Sequence, residues 1–205
     1  MPDSAFLITA FVTLFVVVDP IGLAPLFAAL TQGMSTGRRR RIALTACAVA
    51  MGILVLFTLL GEAVLGFVGI SMPAFRIAGG LLLFLTALEM LFERRSKRRE
   101  DRNEDEVFND PSVFPLGIPL IAGPGSIATV ILLAGEAPGW PGTASIIGLS
   151  FAVVCLVFAM FSTAGPMERL LGRTGINVVT RVLGMLLAAL SVQFVLDGLS
   201  AYWGG

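Results

Sequence analysis

Six apolar runs, each long enough to cross a bilayer, alternate with short polar links along this chain. A span needs about 20 mostly apolar residues, and residues 5–30, 42–64, 72–92, 113–134, 144–167 and 177–196 meet that length. The runs lack the period-two alternation of barrel strands, and an open sheet cannot satisfy its backbone inside hydrocarbon. The pattern therefore predicts an all-α polytopic membrane protein with six transmembrane helices. The first and fourth runs carry internal Pro and Gly, and each is expected to be discontinuous, a pair of half-helices.

The polar positions set an orientation. Arg38, Arg39, Arg40 and Arg41 lie between runs one and two. Arg94, Arg95, Lys97, Arg98, Arg99 and Arg102 lie between three and four, and Arg169 and Arg173 between five and six. The positive-inside rule places these links in the cytoplasm and both termini outside. Trp140, Tyr202 and Trp203 then fall on the outer side, where aromatic rings anchor at headgroups. No basic residue precedes the first run, so it reads as a retained span rather than a signal peptide.

The halves look related. Arg76-Ile-Ala-Gly-Gly in run three lines up with Arg181-Val-Leu-Gly-Met in run six at an offset of about 105 residues. Nearly the same offset sets Asp19-Pro20 opposite Gly123-Pro124. Three spans per half is odd, so the second copy must enter from the other side. The expected organisation is two inverted repeats, 1–92 and 113–205, joined by a charged cytoplasmic linker, 93–112, within one membrane domain.

Composition narrows the chemistry. The chain of 205 residues is 56% hydrophobic and 14% charged, where a soluble domain carries about a quarter charged residues. With no His and only Cys47 and Cys155, there is no imidazole relay, metal cluster or disulfide framework to expect. Both thiols read as small packing residues. An aspartyl-type intramembrane enzyme needs two facing carboxylates, and the only other Asp in a span region is Asp197, near an outer end. No catalytic residue, metal or bound cofactor is expected, and the basic clusters give no reason to invoke nucleic acid.

Asp19 is the only formal charge in residues 5–30, and an ionisable group inside a span marks a substrate or ion pathway by default. Pro20, Gly22 and Pro25 follow it. Pro20 removes a backbone donor and Gly22 relaxes steric limits, so the backbone is expected to break there. In run four, Gly123-Pro124-Gly125-Ser126, with Thr129 one turn on, suits a loop opening into a helix. Its new N-terminus would present amide donors to a carboxylate, with hydroxyls nearby. One break offers a negative group and the other offers donors. A small zwitterionic amino acid needs both. Arg76 and Arg181 are expected to snorkel or to pair with Glu62 and Glu168.

The stretch Asp19-Pro20-Ile21-Gly22-Leu23-Ala24-Pro25-Leu26-Phe27 resembles the first signature of the MarC family of bacterial and archaeal inner-membrane proteins. Pro119-Leu120-Ile121-Ala122-Gly123-Pro124-Gly125-Ser126 resembles its second. The likeness spans essentially the whole chain. It implies a helical membrane protein akin to the lysine-exporter superfamily, with small neutral amino acids of the glycine and alanine class as substrates. Coupling to protons or sodium is the accompanying expectation. An ion or small-solute channel and a non-transporting scaffold are the alternatives. Membrane lipids and a second copy of the chain, as a homodimer, are the remaining expected partners.

Overall fold

The computed structural model describes residues 3–92, 110–137 and 139–203, and all of its regular elements are helical. They are α1 (Ser4–Val18), α2 (Pro20–Leu30), α3 (Thr36–Val68), α4 (Met72–Leu91), α5 (Ser112–Ile121), α6 (Pro124–Glu136), α7 (Trp140–Ser162) and α8 (Ala164–Trp203). Among the described residues five stretches are long and apolar enough to cross a membrane, six if the bent pair of α5 and α6 is one span. Most of the expected linker, residues 93–109, lies outside the described residues.

Local chemistry accounts for the ends. Asp3 caps α1 by accepting the Phe6 N–H at 2.6 Å. Ser35 and Ser71 cap α3 and α4 in the same way, through Arg38 and Ala74. Gly69 stops α3 in the left-handed region, φ 80°, a conformation that L side chains resist. The Ile70 N–H then reaches back to the Leu65 carbonyl at 2.9 Å, closing the last turn. The fifth crossing ends at Ser162, five residues before the expected boundary at Met167. Gly165 and Pro166 come next in the chain, and α8 is kinked again at Gly172, φ 63°.

The interrupted spans sit at the centre. Half of the apolar window in Ser4–Leu30 is buried, against 28% to 39% for the continuous spans. In α6 every residue from Ala128 to Leu133 is buried, the mark of a helix surrounded by protein. The continuous helices turn Leu56, Phe67, Leu85, Phe151 and Val182 outward, where lipid is their solvent.

One apolar cluster joins α1, α2, α3, α5, α6 and α7 through Leu14, Phe27, Leu54, Leu116, Val130 and Phe161. The Phe27 and Phe161 rings stack at 4.3 Å between centroids, tying α2 to α7. A second cluster, with Val16, Val17, Leu83, Met90, Leu132 and Leu187, joins α1 and α6 to α4 and α8. Helices α4 and α8 run antiparallel: Gly198 meets Pro73 and Ile77, Gly80 meets Ser191 and Val195, and Gly184 meets Ala87 and Met90. Small residues here let the two backbones approach closely.

Candidate functional site

Asp19 is the single residue between α1 and α2. It adopts φ 54°, ψ 62°, a left-handed conformation that Asp tolerates better than most L residues. Its own N–H still bonds the Phe15 carbonyl at 2.9 Å, ending α1. Its Oδ1 accepts the Gly22 N–H at 3.0 Å, starting α2. Pro20 occupies the first helical position, where a missing N–H is tolerated. It leaves the Val16 carbonyl without a donor four residues on, and Pro25, inside α2, does the same to Ile21. Asp19 is 1% exposed, so its carboxyl group is enclosed by the bundle.

A methyl group at position 22 would run into the Asp19 carboxylate itself. The acceptor, the helix start it caps and the glycine that makes room are thus one unit.

The second interruption is wider. Segment α5 winds loosely, with Leu116 N–H to Pro111 O at 3.2 Å and Ala122 N–H to Gly117 O at 3.0 Å, each spanning five residues. Extended backbone recurs at Phe114 and Ile118, each preceding a proline through a cis bond. The chain then bends by 52° into α6. Gly123 caps α6, and a methyl group there would strike the Pro119 carbonyl. Pro124 again takes the first helical position.

Ser126 and Thr129 turn their hydroxyls to the local backbone. Ser126 Oγ accepts the Gly123 N–H at 2.9 Å and lies 2.8 Å from the Ile121 carbonyl and 3.0 Å from that of Gly123. Thr129 Oγ1 donates to the Gly125 carbonyl at 2.8 Å. These groups hold the shape of the break. The first-turn amides of Gly125 and Ser126 have no acceptor within the helix.

The two interruptions touch. A methyl group at Gly125 would lie 3.3 Å from Val17 Cγ1, two residues before Asp19. Gly125 also faces Leu83 and Thr86 of α4, with Thr86 Oγ1 at 3.6 Å from the same point. Thr86 is a polar neighbour that sequence reasoning did not single out, because only the packing of α4 brings it there.

For other polar groups the packing decided the partner or the exposure. Arg76 pairs with Glu136, at the end of α6, at 3.2 Å; the expected partner Glu62 is exposed. The Glu168 side chain lies outside the described residues. Gln193 donates to Asp197 at 2.7 Å on α8. Ser150 of α7 is 1% exposed, and its hydroxyl has no hydrogen-bond partner among the described residues. Cys47 is buried against the Val154 carbonyl, whereas Cys155 faces outward rather than into the core. Among the described residues no group of His, Cys, Asp and Glu could hold a metal ion.

A helical membrane bundle with two touching, internally capped interruptions at its centre defines the class of protein. The sequence comparisons narrow it: the model of the MarC family of integral membrane proteins matches residues 4–203. The chain belongs to the MarC family. It is 38% identical to a UPF0056 membrane protein of Aquifex aeolicus over 94% of this chain and 91% of that one. It is 36% identical to a UPF0056 membrane protein of Archaeoglobus fulgidus, covering 96% and 93% of the two chains. The UPF0056 membrane protein YvbG of Bacillus subtilis is also 36% identical, covering 95% and 94%. No solved structure matches the chain.

Proposed function

We propose that this protein is a secondary transporter of small neutral amino acids, of the glycine and alanine class, coupled to protons or sodium. The observation that carries the reading is the buried Asp19 break packed, through Val17, against the Gly123–Ser126 break. A buried carboxylate takes an ammonium group or a coupling cation, and the first-turn amides of α6 take a carboxylate. Helix interruptions inside a membrane are tolerated where they face protein or line a cavity, which is the setting of transporter binding sites. The basic links face the cytoplasm of a bacterial or archaeal inner membrane in this reading, with both termini outside. Alternating access then moves one half of the bundle against the other around these breaks.

Asp19→Asn tests it directly. Asn keeps an oxygen for the Gly22 N–H and removes the charge. In proteoliposomes under a proton or sodium gradient, alanine and glycine uptake should fall at least about tenfold, the scale of one lost charged contact. Unchanged flux would remove Asp19 from the mechanism. Stepwise currents in planar bilayers would replace the carrier with a channel.

A further inference from the structure

Helix α2 is held differently at its two ends. At its start the backbone passes from α1 through Asp19 alone, one residue in the left-handed region at φ 54°. A joint of one residue at a helix end is a place where rotation of one helix against the next is absorbed. Pro25 removes a further hydrogen bond inside α2. One stripe of the helix is buried, Pro20, Leu23, Ala24 and Phe27, while Pro25, Ala28 and Ala29 are half-buried or exposed.

At its far end α2 is clasped. The Phe27 ring, 1% exposed, lies parallel to the Phe161 ring of α7, with 5° between planes and 4.3 Å between centroids. The Arg39 guanidinium, from the first turns of α3, lies over the Phe27 ring at 5.6 Å from its centroid. Phe161 covers one face at stacking distance, so the cation takes the other. A cation on a ring face is held by the ring quadrupole. One side chain of α2 is thus gripped from two other helices.

Position gives the clasp a consequence. Phe27 is eight residues beyond Asp19, about 12 Å of helix rise, toward the end of the bundle where α3 begins with its four arginines. Asp19 is enclosed, so access from that end requires an element to give way. Helix α2 has both a joint at Asp19 and a localised hold at its other end. The geometry points to α2 as a gate arm, hinged at Asp19 and latched against the arginine-bearing face by the Arg39–Phe27–Phe161 stack. The inference rests on the transport reading above for what passes the gate. The conformation described here is closed to that face, and opening parts Phe27 from Arg39 and Phe161 while α1 stays in place.

The test reads access to the break without a substrate. It can therefore fail while Asp19-dependent uptake stands, and succeed where amino-acid uptake fails. In the full chain carrying Cys47→Ala and Cys155→Ala, Val18→Cys places one thiol next to Asp19, at a position 1% exposed, in a nearly volume-conserving exchange. A membrane-impermeant maleimide is applied to right-side-out and inside-out vesicles. Gly37→Cys in the same background, exposed with open space around it, identifies the arginine-bearing face. Adding Arg39→Gln should speed labelling at position 18 from that face about fivefold, the scale of one cation–π contact, with no gain from the opposite face. Phe27→Leu should act in the same direction. Arg39→Lys keeps a cation for the ring and should stay within about twofold of the parent, as should Arg40→Gln, whose side chain is exposed. Unchanged labelling in Arg39→Gln, equal gains from both faces, or equal gains in Arg40→Gln would overturn the gate. So would a gain matched by a fall in thermal midpoint, because loosened packing then accounts for it.

Discussion

Val17 and Gly125 hold the two interrupted spans together: a methyl group on Gly125 would sit 3.3 Å from Val17 Cγ1 and 3.4 Å from Leu83 Cδ2. Both distances are tight yet adjustable. Gly125→Ala should therefore cost little, whereas Gly125→Leu should destabilise by about 1–3 kcal/mol through overpacking. Thermal unfolding in detergent separates the two variants. If leucine is as stable as alanine, the breaks are not clamped at this point.

Asp19 caps α2, and the proposed transport role adds a second job that substitution can separate from the first. Asn retains both the cap and a tolerance for the left-handed backbone, so Asp19→Asn should keep nearly the parent's stability while losing flux. Asp19→Ala loses both and should cost about 1–2 kcal/mol as well. Gly22→Ala keeps the charge but displaces the carboxylate, so it should behave like the alanine variant in stability. An equally stable Gly22→Ala would show that the carboxylate does not need the space the glycine leaves.

The Arg76–Glu136 pair ties the start of α4 to the end of α6, with side chains 19% and 30% exposed. Glu136→Gln strands a largely enclosed guanidinium and should destabilise by about 1–3 kcal/mol. Replacing both partners with apolar residues should recover much of that loss, since neither charge is then left alone. A double-mutant cycle with no coupling would mark the pair as incidental.

Ser150 predicts the opposite sign. Its enclosed hydroxyl has no partner among the described residues, so Ser150→Ala should be neutral or stabilising by up to about 1 kcal/mol. A stable variant with reduced flux would instead show that the hydroxyl meets a transported species.

Asp110, just ahead of α5, supplies a pH dependence. Its carboxyl is held below the ordinary 3.8 by Ser112 first and by Arg38 and Arg41 further off. A depressed value means the contribution is complete above about pH 4 and disappears as pH falls through the folded-state value. The group is almost fully exposed, so the effect is small. Thermal scans from pH 6 to pH 3 should show the parent losing ground to Asp110→Asn only below pH 4. A difference appearing near neutrality would contradict this assignment.

Hydropathy along the chain was enough to locate five long apolar helices and the bent pair, with ends up to seven residues off, because transfer from water to lipid is decided run by run. The breaks at Asp19 and Gly123 were legible for a similar reason: Pro and Gly act on the backbone within one turn, and Asp caps within three residues. The boundary at Met167 fell too late: α7 ends at Ser162, and Met167 already belongs to α8, which starts at Ala164. Tertiary packing alone decided that the interrupted spans are central, that Gly125 meets Val17, and that Glu136 rather than Glu62 answers Arg76. Those facts depend on which faces of distant helices come into contact. In a chain this uniformly apolar, nearly every face would be content in lipid, and only close packing chooses among them.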